Sequence, residues 1–214
     1  MIDARIKAML SLVKVGSRVA DIGADHGYLS IELIKSGRAS KVIATEKNVH
    51  PFEALSKNIF DSGVGSIEVR LGDGLKIISA GEVDTICIAG MGGALIKKIL
   101  NDAPEVVNNA RQLILQPMNA ADKVRQWLAL NSWTIADEDL AESAGIIYEI
   151  ICAEKNSSPR TFKRESSPLK KKFSEQRLEK LQKVLDEMSK SDTARANEKF
   201  STLQAEIDAL KKSL

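Results

Sequence analysis

The sequence predicts an α/β fold followed by a helical appendage. Short apolar runs alternate with amphipathic segments up to residue 153, most of these runs end in a glycine turn or an acid, and the apolar spacing changes to heptads towards the C-terminal end. Alternating strands and helices require a parallel sheet with helices on both faces. The length of 214 residues is sufficient for one such domain and an appendage.

Periodicity and turn residues place the elements of the α/β part. The first predicted helix precedes a strand that runs into a turn beginning at Gly23, and Pro51 suits the first turn of a helix after the second strand. We expect strands over 18–23, 41–46, 67–71, 83–88, 113–115, 133–137 and 146–153, and helices over 2–14, 28–36, 51–61, 93–100 and 120–131.

The last part of the chain has the spacing of paired helices. Apolar residues recur there in steps of three and four, which predicts an antiparallel coiled-coil hairpin with its turn near residues 189–193. The apolar seam would consist of Leu178, Leu181, Leu185, Met188, Ala196, Phe200, Leu203, Ile207, Leu210 and Leu214. We therefore expect a domain at 1–155, a linker without apolar period at 156–168 and the hairpin at 169–214.

Composition is typical of an ordinary globular protein, with 43% hydrophobic and 28% charged residues. No apolar run is long enough for a membrane helix, and the first residues lack the apolar core of a signal peptide, so we expect a cytoplasmic protein without membrane association. Cys87 and Cys152 lie in apolar runs and are interpreted as core residues. His26 and His50 lack neighbours at metal-ligand spacing, so no metal is expected.

Charge is distributed unevenly along the chain. Residues 1–153 carry a net charge of −3, whereas residues 154–214 carry 15 Lys and Arg against 10 Asp and Glu, a net charge of +5. Clustered cations gain affinity for nucleic acid by releasing counterions from phosphates. The tail therefore suits a polyanionic partner, and a solvated helix face is the alternative interpretation.

Acidic residues follow or end the first three predicted strands. Asp21 and Asp25 belong to the first strand end, Glu46 to the second and Asp73 to the third. Ligands of open parallel sheets bind outside the carboxyl ends of the strands. A carboxylate at the end of the second strand can accept both ribose hydroxyls, so this spacing predicts a cofactor that contains a nucleoside.

The loop after the first strand selects among such cofactors. Its sequence is Gly23-Ala24-Asp25-His26-Gly27, with Asp25 at the position where a dinucleotide fingerprint has its second glycine. A carboxylate there repels a pyrophosphate, which disfavours a nicotinamide dehydrogenase. S-adenosylmethionine carries a sulfonium, an ammonium and no phosphate, and therefore suits the acidic rim. As an alternative, Asp25 caps the following helix.

Four motifs carry a resemblance to a known family. They are the segment Asp21 to Leu29 (DIGADHGYL), Gly72-Asp73-Gly74, the segment Ile88 to Gly93 (IAGMGG) and Leu115-Gln116-Pro117. Together they resemble the bacterial tRNA adenine-22 N1-methyltransferase family, and the resemblance spans the whole chain, including the tail. Where that family usually reads Asp-His-Ala-Tyr-Leu-Pro this chain has Gly27 and Ser30, and Met118 separates Pro117 from Asn119 in its Gln-Pro-Asn motif.

The resemblance implies a Rossmann-like class I methyltransferase fold with an appended coiled-coil hairpin, S-adenosylmethionine as cofactor, and N1 of adenine 22 in tRNA as methyl acceptor. It implies that Asp21, Gly23 and Asp25 contact the methionine part, Glu46 the ribose and Asp73 the adenine amino group. Gly90 would line the site of methyl transfer. We add Gly72 and Gly74 to the cofactor set, and Gly92, Gln116 and Asn119 to the substrate set.

Methylation at N1 uses an in-plane lone pair of adenine, so no covalent enzyme intermediate is needed and positioning does most of the work. Asp25 is our hypothesis for stabilising the cationic product, with His26 or Tyr28 holding the base. Alternatively, Asp25 serves only the cofactor ammonium. Ala89-Gly90-Met91-Gly92 replaces the Asn/Asp-Pro-Pro-aromatic turn of many exocyclic-amine methyltransferases, which favours an endocyclic target.

N1 lies on the Watson–Crick edge, so the nucleotide must leave its stack. We expect basic residues to hold the remaining RNA by its phosphates. The candidates are Arg5, Arg160, Lys163, Arg164, Lys170, Lys171, Lys172 and Arg177. A monomer is expected, and a dimer formed through the hairpin is the alternative. Two other functions stay open: methylation of a small molecule or protein with the hairpin used for assembly, and a non-catalytic RNA-binding module.

Overall fold

The computed structural model describes residues 2–155, 157–158, 163–191 and 197–214, without the side chains of Lys163 and Ser213. The chain divides into two compact units, Met1–Lys163 and Arg164–Leu214. No helix within the described ranges is long and apolar enough to span a membrane.

The first unit alternates strands and helices, as the sequence predicts. Its strands are β1 (Ser17–Ile22), β2 (Ala39–Glu46), β3 (Ile67–Leu71), β4 (Thr85–Met91), β5 (Gln112–Pro117), β6 (Thr134–Ser143) and β7 (Ile146–Glu154). Its helices are α1 (Ala4–Leu12), α2 (Tyr28–Lys35), α3 (Val49–Asp61), a 3₁₀ turn (Gly74–Ile77), α4 (Gly93–Asn101), α5 (Pro104–Asn109) and α6 (Ala121–Leu130).

These strands form one sheet in the order β3-β2-β1-β4-β5-β7-β6. Pairs among β1 to β5 are parallel, so the carboxyl ends of those five strands lie along one edge. The Rossmann-like fold class is confirmed by this arrangement. The prediction of a parallel sheet was wrong in one respect, because β7 runs antiparallel to both β5 and β6.

A tight turn explains the antiparallel strand. Ala144 and Gly145, the two residues between β6 and β7, have φ angles of 50° and 78°. Positive φ at both central residues is the geometry of a two-residue hairpin, which joins only antiparallel strands. The sequence pattern predicts that the sixth strand ends at residue 137, whereas β6 continues to Ser143. Its acidic residues concealed the strand, and Arg125 of α6 pairs with two of the acids in this hairpin, Glu138 and Glu149.

Helices cover both faces of the sheet. On one face Val19, Val42 and Cys87 pack with Met9 of α1 and Leu33 of α2. On the other face the core is formed by α4, α5, α6 and the 3₁₀ turn, including the buried Trp127 and Trp133. Both cysteines are free and buried, in agreement with their interpretation as core residues. Helix α5 was absent from the sequence prediction, because Pro104 marks its start but six residues are too few for the apolar pattern to repeat.

The second unit consists of helices. They are α7 (Lys163–Ser166), which lies inside the predicted linker, α8 (Lys170–Ser189) and α9 (Glu198–Ser213). Leu185 of α8 and Leu203 and Ile207 of α9 are buried together. Ala196, a predicted seam residue, lies outside the described residues. The coiled-coil assignment and the domain boundaries stay predictions.

Candidate functional site

A cavity of about 600 Å³ opens at the carboxyl ends of the parallel strands in the first unit. The topology places it there, because β1, β2 and β4 are neighbours in the sheet and each is followed by a loop on the same edge. The predicted site residues that line it are Arg5, Asp21, Gly23, Asp25, His26, Tyr28, Glu46, Gly72, Asp73, Gly74, Gly90 and Gln116. Gly92 and Asn119 lie next to each other but outside this lining.

Asp21 is the deepest acid of the cavity. It is the penultimate residue of β1 and only 4% exposed. The hydroxyl of Ser30, itself fully buried on α2, donates to Asp21 Oδ2 over 2.7 Å. Burial raises the pKa of Asp21 to about 6, although the hydrogen bonds from Ser30 oppose this rise. Asp21 is therefore ionised at neutral pH but costly to hold as an anion.

The loop from Gly23 to Gly27 turns sharply between β1 and α2. Gly23, Asp25 and Gly27 have φ angles of 67°, 52° and 74°. The amides of Gly23 and Ala24 donate to the carbonyl of Thr45, over 2.9 and 3.0 Å, which ties the loop to β2. Gly27 is the N-cap of α2 and no side chain caps that helix, so the structure does not use Asp25 as the cap. The Asp25 side chain is 78% exposed instead.

Glu46 ends β2 at the rim of the cavity. Its Oε1 accepts hydrogen bonds from the backbone amides of Lys47 and Asn48, over 2.9 and 3.3 Å, and these bonds fix the carboxylate against its own loop. Oε2 has no hydrogen-bond partner in the part of the chain that the structure describes. An anchored carboxylate with one unused oxygen is a suitable acceptor for a sugar hydroxyl.

Asp73 follows β3 on the same rim and is held by two lysines. Its carboxylate lies 2.8 Å from Lys76 Nζ and 3.1 Å from Lys47 Nζ. These contacts, the one from Lys76 being the stronger, lower the pKa of Asp73 to about 2. Asp73 is consequently an anion throughout the physiological range.

The far wall of the cavity is formed by β4 and β5. Gly90 has a φ angle of 71°, which strongly favours glycine, and its amide donates to Gln116 Oε1 over 3.1 Å. Gln116 is buried, so its side chain supports the glycine segment while lining the cavity. Gly92 packs against Asn119, whose Oδ1 would lie 3.1 Å from a Cβ at that position. Close packing of the loop after β5 therefore accounts for this second glycine.

Asp25, His26 and Tyr28 form an exposed cluster at the mouth. His26 Nε2 lies 3.8 Å from Asp25 Oδ1, and the rings of His26 and Tyr28 have centroids 5.6 Å apart. Tyr28 is 58% exposed. These side chains face the solvent end of the cavity, where a large substrate would approach a bound cofactor.

Three polar residues that line the cavity, Thr45, Lys47 and Asn48, were not predicted from the sequence. Thr45 Oγ1 is buried without a hydrogen-bond partner in the described structure, and its residue lines the cavity. Lys47 also lines it and pairs with Asp73. Thr45 and Lys47 flank Glu46 in sequence and Asn48 follows them, so their positions beside an acid that ends a strand were the available signal.

Arg5 is the candidate phosphate ligand on α1. Its guanidinium lies 4.8 Å from the centre of the Tyr148 ring, and its Nε is 3.2 Å from Asp3 Oδ1. Ser143 donates to Asp3 over 2.7 Å, so α1 and the β6–β7 hairpin together orient the guanidinium. Arg5 therefore lines the cavity with a largely fixed geometry.

Most basic candidates of the tail have intramolecular partners. Arg177 pairs with Glu206 over 2.6 Å, Lys170 with Glu165 over 2.5 Å and Lys171 with Glu175 over 3.9 Å. Arg164 lies over the ring of Phe173 at 5.1 Å, and Lys172 has an interaction as well. Arg160 and the side chain of Lys163 lie outside the described residues. The tight, half-buried Arg177–Glu206 pair stabilises the packing of α8 on α9 and competes with any phosphate.

Metal ligation has no support in the described residues, which contain no group of three His, Cys, Asp or Glu side chains able to hold an ion. The site is a nucleoside-sized cavity lined by four acids, on β1, the loop after β1, β2 and the loop after β3. This fold and this acid arrangement define a methyltransferase domain. In agreement, a family model described as a methyltransferase domain matches residues 2–151.

Comparison with known proteins narrows the class. The tRNA (adenine(22)-N(1))-methyltransferase of Bacillus subtilis (strain 168) is 32% identical over 228 residues, covering 98% of this chain and 95% of that protein. The crystal structure of the B. subtilis m1A22 tRNA methyltransferase TrmK has a TM-score of 0.84 at 30% identity, covering 99% of this chain and 98% of that one. The Streptococcus pneumoniae protein Sp1610, solved in complex with S-adenosyl-L-methionine, has a TM-score of 0.84 at 33% identity, with 99% of each chain covered. The chain belongs to the tRNA (adenine(22)-N(1))-methyltransferase family, as its motifs predict.

Proposed function

We propose that this protein transfers a methyl group from S-adenosylmethionine to N1 of adenine 22 in tRNA. The observation that carries the proposal is the convergence of Asp21, Glu46 and Asp73 on one cavity, in a chain that belongs to this family from end to end. A non-catalytic RNA-binding module would have no need for three carboxylates at one sheet edge. The acid set therefore favours an enzyme over a binding module.

The residues present fit this cofactor. Asp21 and Asp25 suit the ammonium of the methionine part, the unused oxygen of Glu46 suits a ribose hydroxyl, and the Asp73 carboxylate suits the adenine amino group. Gly23, Gly72, Gly74 and Gly90 keep backbone rather than side chains along the cavity wall. The buried Thr45 hydroxyl, which lacks a partner among the described residues, is a further donor for a ligand. Bound in this site, the cofactor supplies an electrophilic methyl group.

The chain's own residues position and stabilise the acceptor base. We assign Tyr28 and His26, which are exposed at the mouth, to holding the adenine in place. Asp25 is 78% exposed and next to His26, so its carboxylate is available to the positive charge that develops on the base. Because N1 already has a lone pair, none of these residues is required to form a covalent bond.

Electrostatic contacts hold the rest of the tRNA. Arg5 is preoriented at the cavity by Asp3 and Tyr148 and suits the phosphate next to the target nucleotide. Lys170, Lys171 and Lys172 at the start of α8 are the second group, which we assign to phosphates further along the RNA. Gly92 and Asn119 would contact the substrate only at the edge of the site, since they lie outside the cavity lining.

We further propose that the enzyme acts as a monomer in the cytoplasm, with the methyltransferase domain at 1–155, a linker at 156–168 and the coiled-coil hairpin at 169–214. The separate compact units Met1–Lys163 and Arg164–Leu214 support two functional parts, one for chemistry and one for RNA. Light scattering across a concentration series tests the monomer, and a constant mass of 23.4 kDa is expected.

The proposed activity is tested by incubation with cofactor labelled on its methyl group. The label is expected in unmodified tRNA as 1-methyladenosine, and hydrolysis to nucleosides identifies it. Label in a protein or small-molecule fraction with none in tRNA would refute the RNA substrate. Cofactor binding without any transfer would refute the enzyme itself.

A further inference from the structure

The His26 side chain contacts Asn58, a residue to which the proposed function gives no role. Asn58 of α3 places its amide nitrogen 3.3 Å from His26 Nδ1 and also 3.3 Å from the carbonyl oxygen of His26. Asn58 is half-buried, whereas the other face of the imidazole, carrying Nε2, lies 3.8 Å from Asp25 Oδ1. The ring is therefore placed between an amide and a carboxylate.

Close packing brings α3 to this loop. Gly27 has a φ angle of 74°, and a Cβ at that position would lie 2.7 Å from Leu55 Cδ1 and 2.8 Å from Ile59 Cδ1. Leu55 and Ile59 flank Asn58 on α3 and are buried. The absence of a side chain at Gly27 thus lets the helix approach closely enough for a short amide to reach His26.

The backbone carbonyl decides which way the amide points. A carbonyl oxygen only accepts hydrogen bonds, so the Asn58 atom facing His26 O must be the amide nitrogen, and an oxygen there would be repelled. The same nitrogen faces His26 Nδ1 and has a second hydrogen to donate. His26 Nδ1 is consequently an acceptor. In the neutral ring the proton must then be on Nε2, the nitrogen that faces Asp25.

We propose that Asn58 is a positioning residue for methyl transfer. It holds His26 in the tautomer that presents Nε2–H to the mouth of the cavity, between Asp25 and the incoming base. With Nε2–H in that place, His26 is oriented to donate to an acceptor atom of the base, beside the Asp25 carboxylate at 3.8 Å, and its ring is fixed in the orientation seen in the structure. This inference rests on the proposed function, because it gives His26 a role in holding the substrate.

The tautomer is measured directly by nitrogen NMR on the full chain labelled with ¹⁵N-histidine. His26 and His50 are its only histidines, and the largely exposed His50 side chain serves as the internal reference. In a buffer near pH 9, well above the ordinary histidine pKa of about 6.5, His26 is expected to show a protonated Nε2 and an unprotonated Nδ1. A protonated Nδ1 in the wild-type chain would overturn the proposal, whatever the activity.

Asn58→Asp reverses the donor, because a carboxylate at that position accepts from Nδ1–H instead of donating to Nδ1. We expect the His26 signals to move to the Nδ1–H tautomer and the single-turnover rate with tRNA to fall by about threefold to tenfold, the worth of one hydrogen bond. Cofactor affinity should stay within about twofold, since loss of one remote contact changes positioning and not the cofactor acids. A variant with the reversed tautomer and the full rate would overturn the proposal.

Two further variants keep the test independent of folding. Asn58→Leu removes both hydrogen bonds while keeping the number and branching of the side-chain heavy atoms, and a rate loss of about threefold or more is expected. Asn109→Leu is the matched control, because Asn109 Nδ2 also donates to a backbone carbonyl but lies on α5, outside the cavity lining. The single-turnover rate of this variant should equal that of the wild type. Equal rates for Asn58→Leu and Asn109→Leu would overturn the proposal. A wild-type chain that transfers no methyl to tRNA refutes the proposed function instead, so the two failures are distinguishable.

Discussion

Replacement of Asp21 by Asn should stabilise the cofactor-free protein while removing its affinity for cofactor. Asp21 is 4% exposed, and the hydrogen bonds that oppose the cost of its buried charge come from neutral groups of Ser30, whose hydroxyl lies at 2.7 Å. An asparagine at this position can still accept from Ser30 through its amide oxygen but carries no charge. The chain therefore retains a costly carboxylate at the site where we propose that it meets a ligand cation.

The magnitude follows from the pKa of Asp21, which burial raises from 3.8 to about 6. A shift of this size corresponds to about 3 kcal/mol of destabilisation when the group is fully ionised. Between about pH 4 and pH 6 the folded state binds more protons than the unfolded state, so the free energy of unfolding falls as the pH rises. The penalty is complete above about pH 7 and absent below about pH 3.

Urea unfolding followed by tryptophan fluorescence measures the free energy of unfolding of the part of the chain that contains Asp21. Trp127 and Trp133 are the only tryptophans, and both lie in the same compact unit as Asp21, Met1–Lys163. We expect Asp21→Asn to raise the free energy of unfolding by up to about 3 kcal/mol at pH 8 and by about half as much at pH 5. Asp61→Asn, which changes an acid at the exposed end of α3, is the control and should show little gain at either pH. An Asp21→Asn chain that is no more stable at pH 8, or equally stabilised at both pH values, would refute the reasoning.

Further predictions concern the cofactor rim, the RNA contact and the tail. Asp73→Asn should raise the cofactor Kd by about tenfold in calorimetry, as a charged hydrogen-bond acceptor is lost, and an unchanged Kd would remove Asp73 from the adenine site. Arg5→Gln should raise the KM for tRNA about fivefold with cofactor affinity unchanged, whereas Arg18→Gln at the opposite end of β1 is the neutral control. Ile207→Ala should destabilise the packing of α8 and α9 by about 2–4 kcal/mol, because this side chain is fully buried. Circular dichroism of the helical signal during thermal melting would detect this loss. A melting curve equal to that of the wild type would show that the two helices do not depend on each other.

Local sequence was sufficient to predict which residues end the strands. Asp21, Glu46 and Asp73 follow from strand ends and from the rule that parallel strands share a ligand edge, and each lines the cavity. The partners of the site residues did not follow, because Ser30 meets Asp21, Lys76 meets Asp73 and Asn58 meets His26 through helix packing and side-chain rotamers that a sequence pattern does not encode. For the same reason the sequence could not show that Gln116 supports Gly90 or that Glu206 pairs with Arg177.

Two departures from the usual family motif have local explanations in the fold. Ser30 replaces a proline of that motif and supplies the hydroxyl that donates to Asp21. Gly27 replaces an alanine and occupies a left-handed conformation against two side chains of α3. The strand at β7 was predicted but its antiparallel direction was not, since Ala144-Gly145 lacks the Asn-Gly or Asp-Gly signal of a two-residue hairpin although its backbone adopts that turn.

The central claim is tested most directly with a single tRNA transcript in two versions, one carrying adenine at position 22 and one carrying guanine there. With labelled S-adenosylmethionine, the wild-type chain should methylate only the first transcript, and reverse transcription should stop at position 22. The product nucleoside should be 1-methyladenosine. Equal labelling of both transcripts, or an arrest at another position, would contradict the account.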